Sequence, residues 1–449
     1  MILPVPRNLE RFPELHPAFD TQAALMEASR CLYCYDAPCT AACPTHIDVP
    51  RFIKKIASGN LRGSAQTILD ANILGLSCSR VCPVDVLCEG ACVMHRYNQQ
   101  PIGIGRLQRY AMDWFYAERV AQGSGYPPLL RVVRKAEPCA TTPRIACIGG
   151  GPASLACATE LRRHDYAVTI FDDRPLPGGL NTYGVAEYKL RPSDSLREVE
   201  LIRSMGVEFR QAQVGTAVSL EALEDEYSLI FIGVGLGAME RLRIPGEDRP
   251  GVIDALHFIA RYKTSHELEV GRVVVVVGGG NTAIDAANAA RRLGADEVHV
   301  FYRRTEKEMP AFPFEYEHAK VEGVQFHWLA QPVEILERTV KFVSTRLGPR
   351  DASGRHKAEP VPGTEFAFVC DMVIPAVGQS AVLKLLERTR GIELRSGCVI
   401  VDRPTGRTSN GKYYAGGDCV NGGREVVDAV ADGKRAALAM MRRLEAIHG

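Results

Sequence analysis

The chain has 449 residues, a formal net charge of +1 and 46% hydrophobic residues. That length allows about three domains and excludes a small scaffold that depends on disulfides for stability. The balanced charge gives no global basic field for nucleic acid, and no apolar stretch reaches the roughly 20 residues of a membrane span.

Eight of the fourteen cysteines lie between residues 31 and 92. Cys31, Cys34, Cys39 and Cys43 form one run, CLYCYDAPCTAACP; Cys78, Cys82, Cys88 and Cys92 form the second, CSRVCPVDVLCEGAC. Three chemistries compete for them. A disulfide framework needs an oxidising compartment, and the start MILPVPRNLERFPELHP reads as carrying no signal peptide, so a cytoplasmic location is expected. Structural zinc usually takes two CxxC pairs, whereas here a single CxxC is followed by Cys39 and Cys43. A pair of [4Fe–4S] centres fits best, with prolines following Cys43 and Cys82. In two-cluster ferredoxins the last cysteine of a run ligates the other cluster, so Cys43 is a candidate to cross over. Spacing alone does not divide eight ligands between two clusters.

Residues 122–143 read as a linker, and their basic run at 129–135 as a solvated stretch. Arg144–Ile148 then reads as a buried strand entering Gly149-Gly150-Gly151-Pro152-Ala153-Ser154 and an Ala/Leu-rich helix. Gly149 permits the tight turn, and Gly151 lets the backbone approach a pyrophosphate at the helix N-terminus. A second strand, Ala167–Phe171, ends at Asp172, 21 residues past Gly151, where a ribose hydroxyl acceptor is expected. Pro177-Gly178-Gly179-Leu180 offers another close approach. A lone glycine fingerprint often serves plain packing; the complete strand–loop–helix–strand–acid context points to a dinucleotide.

The pattern returns at Arg272–Val277, which enters Gly278-Gly279-Gly280-Asn281-Thr282-Ala283, a helix to Leu293 and the strand Val298–Tyr302. This strand ends in Arg303-Arg304 instead of an acid. Arginine there favours a 2′-phosphate and hence NADP(H), without excluding NAD(H). Ala376-Val377-Gly378 follows the strand Met372–Pro375, and Tyr414-Ala415-Gly416-Gly417-Asp418 is similar to the strand–Gly-Asp motif of two-dinucleotide flavoproteins. In that pattern Asp418 meets the flavin ribityl chain, a helix from near Arg424 points its N-terminus at the flavin, and residues 376–378 line the nicotinamide side.

Together these motifs resemble the glutamate synthase small-subunit family, and within it the N-terminal half of dihydropyrimidine dehydrogenase, over nearly the whole chain. The loop Cys82-Pro-Val-Asp-Val-Leu-Cys88 and the segment Pro101–Arg109 favour the pyrimidine branch. The resemblance implies one cluster on Cys31, Cys34, Cys39 and Cys92 and another on Cys43, Cys82, Cys88 and Gln108, with Cys78 standing aside. It implies FAD at Gly149, Gly151, Ser154, Asp172, Leu180, Lys189 and Asp418. The implied nicotinamide residues are Gly280, Asn281, Thr282, Arg303, Arg304 and Ala376 to Gly378. A further basic residue of the mammalian-type enzymes is replaced here by the Glu308-Met-Pro-Ala segment.

The expected fold is α/β. An N-terminal α-helical iron–sulfur domain (1–135) precedes a discontinuous flavin domain (143–265 and 375–449), which is interrupted by a nicotinamide domain (266–374). The expected function is electron input: electrons move between NAD(P)H and a partner FMN subunit through FAD and two [4Fe–4S] clusters, for interconversion of uracil or thymine and their dihydro forms. No catalytic side chain beyond the cofactor sites is expected, and neither a nucleic acid nor a membrane partner. A glutamate synthase small subunit, or a donor to another reductase, is the enzyme alternative. A structural iron–sulfur scaffold is the non-enzyme one.

Overall fold

A computed structural model describes residues 12–121, 142–265, 268–351 and 354–448. The basic run at 129–135, Cys139 and all but the last two linker residues lie outside them. The described residues divide into two compact units: those within 14–182, 192–236 and 381–448 form the larger, and those within 183–191 and 237–380, with Phe12 and Pro13, form the smaller.

The larger unit begins with helices Thr21–Ser29, Val49–Ala57, Leu61–Ala71, Gly75–Val81 and Ile104–Ala121. Their starts are set by side chains that accept otherwise unpaired amides: Asp20 from Ala23, Asp48 from Arg51, and Asn60 from Gly63. In Val49–Ala57 the buried residues are Val49, Phe52, Ile53 and Ile56, one stripe at helical spacing that faces the core.

The same unit holds a seven-stranded sheet. Its parallel part runs in the order Tyr413–Ala415, Leu229–Ile232, Arg144–Ile148, Ala167–Asp172, Glu208–Gln211. A strand from the end of the chain thus completes the sheet opened at residue 144, the discontinuous arrangement expected from sequence. The C-terminal helix Val426–His448 packs on helix Pro152–Arg163 so closely that a Cβ on Gly433 would stand 2.0 Å from the Ala153 carbonyl oxygen.

The smaller unit has a parallel sheet in the order Met372–Pro375, Val273–Val277, Glu297–Tyr302, Gln325–Trp328. It also has an antiparallel sheet that the sequence did not announce, built on the long strand Thr339–Arg350 with Ala330–Ile335, His356–Pro360 and Phe366–Val369. Phe301 of the parallel sheet stacks on Phe342 of the antiparallel one with ring centroids 4.0 Å apart. Two segments expected in the flavin domain belong to this unit. Helix Ala255–Thr264 buries Phe258, Ile259 and Tyr262, and its Lys263 donates to the Val185 carbonyl at 2.6 Å. That bond ties in Tyr183–Arg191.

Candidate cofactor sites

The cysteines come from short elements packed around helices Val49–Ala57 and Ile104–Ala121. Cys31 and Cys34 follow helix Thr21–Ser29, Cys39 sits on helix Pro38–Ala42, and Cys92 precedes a single 3₁₀ turn, Val93–Tyr97. These four thiols line one small cavity whose remaining wall is apolar, with Val49, Ile53, Ile102 and Ile104. Burial raises the Cys39 thiol to about 11, and the adjacent Cys31 and Cys92 push it the same way. Among the described residues no three Cys, His, Asp or Glu side chains stand close enough to share one metal ion. Four thiols around a common cavity suit the larger cuboidal cluster better than tetrahedral zinc. Cys92, from the second sequence run, therefore lies with three members of the first.

Cys43, Cys82 and Cys88 form the other group. Cys82 ends helix Gly75–Val81. Its thiol is pushed well up by a hydrogen bond with Cys78, by burial, and by Cys88 and Cys43 nearby. Burial, Glu89 and Cys43 raise Cys88 in the same way. Cys78, expected to stand aside, is thus a direct neighbour of Cys82. Gln108 is buried on helix Ile104–Ala121, and its amide nitrogen donates to the Gly75 carbonyl at 2.8 Å.

The flavin fingerprint is assembled at the ends of the parallel strands. Gly149 has φ +92°, and a Cβ there would lie 2.6 Å from the Gly233 carbonyl oxygen, so both conformation and space require glycine. The Gly150 amide donates to Asp172, whose other carboxylate oxygen accepts from Arg174 at 2.8 Å. Burial raises the Asp172 carboxyl, and these amides draw it back. Gly178 donates to the Gly150 carbonyl at 2.8 Å, which sets Leu180, at the start of its own short helix, beside the fingerprint. Gly151 opens helix Pro152–Arg163 with no side-chain cap, and the buried Ser154 hydroxyl in the first turn has no partner. An uncapped helix start and an orphaned hydroxyl fit a bound pyrophosphate. Gly417 lies against Ala153 of that helix, bringing the Gly-Asp motif to the same place; Asp418 accepts from the Arg424 amide at 3.0 Å. Helix formation resumes at Val426, after a short separate helix, Asp418–Asn421.

Lys189, for which the resemblance implies a flavin contact, is held by carboxylates. It belongs to the smaller unit, where its buried ammonium stands 2.6 Å from Asp285 and 2.7 Å from Glu315. Tyr188 also donates to Asp285, at 2.9 Å.

The nicotinamide fingerprint repeats the design. A Cβ on Gly278 would stand 2.2 Å from the Ala376 carbonyl oxygen, so the loop lies directly against residues 376–378. Gly280, at the uncapped start of helix Asn281–Leu293, faces open space, and Thr282 is half-buried in the first turn. Asn281 accepts from the Phe312 amide at 2.9 Å and so holds the following loop. The arginine pair separates. Arg304 is buried and donates to the His356 carbonyl, while Arg303 is exposed. Arg304 therefore links the two sheets through its Nε. Partial burial lowers Arg303, as do the like charges of Arg304 and Arg355. Arg355, on the antiparallel hairpin, is a basic neighbour that local sequence gave no reason to choose.

Residues 8–120 match the family described as dihydropyrimidine dehydrogenase domain II, 4Fe-4S cluster, and residues 143–433 match the pyridine nucleotide-disulphide oxidoreductase family. The chain is 38% identical to the putative oxidoreductase AegA of Escherichia coli, over 95% of this chain and 66% of that protein. It is 38% identical to the beta subunit of the NADP(+)-dependent formate dehydrogenase of Moorella thermoacetica, over 90% of this chain and 59% of that one. It therefore spans about two thirds or less of those two proteins. The glutamate synthase [NADPH] small chain of Escherichia coli is 36% identical over 98% of this chain and 95% of its own length. In fold, FprA of Mycobacterium tuberculosis, solved with NADPH, aligns with a TM-score of 0.57 at 21% identity, covering 68% of this chain and 86% of FprA. Thioredoxin reductase of T. acidophilum aligns at 0.53 and 19% identity, covering 67% and 98%. The matched families imply [4Fe–4S] clusters, FAD and a nicotinamide cofactor. The chain belongs to the glutamate synthase small-subunit family of flavin- and nicotinamide-dependent oxidoreductases.

Proposed function

We propose that the chain is the electron-input subunit of a larger reductase, taking reducing equivalents from NADPH and passing them singly to a partner. The observation that carries this reading is the presence, in one compact unit, of the cysteine-lined sites and the flavin fingerprint. When bound, nicotinamide and FAD supply two-electron transfer and the clusters supply one-electron transfer. The protein's own residues hold and orient these groups. Gly149, Gly151, Ser154, Asp172, Leu180 and Asp418 frame the flavin dinucleotide. Gly280 and Thr282 receive the second pyrophosphate, Arg303 meets the 2′-phosphate, and Ala376 to Gly378 line the nicotinamide side. Seven cysteines and Gln108 hold the clusters.

For the partner, an FMN subunit that reduces uracil or thymine is supported by the buried Gln108 and by the family match over residues 8–120. The glutamate synthase alternative is supported by the near-complete coverage of the Escherichia coli small chain. The test is reduced-nicotinamide oxidation by iron- and flavin-loaded protein with an artificial acceptor dye. Turnover without a partner is expected, with no uracil reduction until an FMN subunit is added. A properly loaded protein that binds no flavin and turns over no dye would overturn the reading. Replacing Gln108 with Leu should change the spectrum of one cluster; an unchanged spectrum would leave Cys78 as the fourth ligand.

A further inference from the structure

Glu198 lies on helix Pro192–Ser204 of the flavin-binding part, is fully buried, and belongs to none of the cofactor motifs. One carboxyl oxygen meets the amides of Leu76 at 2.8 Å and Ser77 at 3.0 Å, and the other meets the Ser77 hydroxyl. These are first-turn groups of helix Gly75–Val81, which has no cap from its own sequence. The helix ends in Cys82, and its first carbonyl, that of Gly75, orients the Gln108 amide. A second tie runs parallel. Buried Arg80 reaches Asp194 of the same flavin-side helix at 3.4 Å and Asp113 of the Gln108 helix at 2.5 Å.

We propose that Glu198 is a positioning residue for the second cluster. It fixes, from the flavin-binding part, the helix that delivers Cys82 and the carbonyl that sets Gln108. Removing the carboxyl leaves two buried amides and a hydroxyl without partners, and the helix start must shift to recover them. The groups displaced by that shift are ligands of one cluster only. Burial raises the carboxyl to about 8, so a neutral amide of the same shape is a close substitute.

The inference rests on Cys43, Cys82 and Cys88 holding a cluster, and it holds whether Gln108 or Cys78 completes the set. The experiment compares Glu198→Ala and Glu198→Gln in the full iron- and flavin-loaded protein, by electron paramagnetic resonance and by redox titration of each cluster. In Glu198→Ala the signal and midpoint potential of one cluster should shift, while the other cluster and the FAD content stay as in the wild type. Glu198→Gln should restore the wild-type signature. Ser77→Ala removes a single bond and should give a smaller shift in the same cluster, which keeps the test decisive if Glu198→Ala does not fold. Unchanged clusters in Glu198→Ala, or equal loss of both clusters and of FAD in every variant, would overturn the proposal. Failure of the ligand reading is seen separately, as a Gln108→Leu protein with an unaltered spectrum.

Discussion

Arg303 and Arg304 are adjacent in sequence and differ in what surrounds them. Arg304 is tied to a backbone carbonyl on another sheet, and Arg303 faces solvent at the end of the strand that follows the nicotinamide fingerprint. Arg303→Ala should therefore raise KM for NADPH by about tenfold or more, the equivalent of about 1.4 kcal/mol, with little effect on NADH. Equal losses with both cofactors would remove Arg303 from phosphate recognition. Arg304→Ala should instead lower the unfolding midpoint, since it removes a part-buried hydrogen bond worth about 1 kcal/mol. Gly280 provides a contrast with Gly149. A methyl at Gly280 meets no protein atom within 4 Å, so Gly280→Ala should keep wild-type thermal stability while weakening NADPH binding. Reduced stability with intact binding would contradict the role given to this helix start. The fingerprint glycines were legible in the sequence because the turn and helix start they serve are local, although the carbonyls that crowd Gly149 and Gly278 come from residues 233 and 376. The fate of Arg304 was not, because its partner is 52 residues away on a sheet that no short motif announced.

At the scale of elements, helix Pro192–Ser204 and segment Tyr183–Arg191 are neighbours in the chain with different allegiances. The first supports the cysteine-bearing helix Gly75–Val81 through Glu198 and Asp194. The second is held in the smaller unit by the Lys189 ion pairs and the Tyr188 hydrogen bond. The family resemblance implies a flavin contact for Lys189; the two buried carboxylates that hold its ammonium, Asp285 and Glu315, lie 96 or more residues away in sequence, so local reading does not find them. Glu198 gives a pH signature. Its folded value of about 8 stands above the ordinary 4.5, first through burial. Below 4.5 both folded and unfolded chains carry the proton, and the contribution to stability is whole. Between about 4.5 and 8 the unfolded chain loses the proton that the fold retains, so stability falls as pH rises, by up to about 1.4 kcal/mol per unit. Glu198→Gln lacks this titration. Urea midpoints of the two proteins measured from pH 5 to 8 should diverge in favour of the variant as pH rises; parallel curves would show that Glu198 titrates normally.

Across the molecule, the order of domains was readable and their edges less so. A strand near residue 414 was expected to rejoin the flavin sheet, and Tyr413–Ala415 does so beside Leu229–Ile232. The main segment of the smaller unit, however, begins at Gly237, because helix Ala255–Thr264 buries its apolar face there and Val252 bridges to Val373. Among the described residues no helix is long and apolar enough to cross a membrane. The gathering of Cys92 with Cys31, Cys34 and Cys39 is a property of the fold that spacing did not contain; the family resemblance supplied it. The proposed function links these parts by electron flow from nicotinamide through flavin to the clusters. The most direct test is an anaerobic titration of the FAD- and iron-loaded protein with NADPH, following flavin absorbance and cluster paramagnetic resonance together. The expected result is bleaching of the flavin accompanied by signals of reduced clusters. Flavin and clusters that respond to dithionite but remain oxidised with excess NADPH would contradict it.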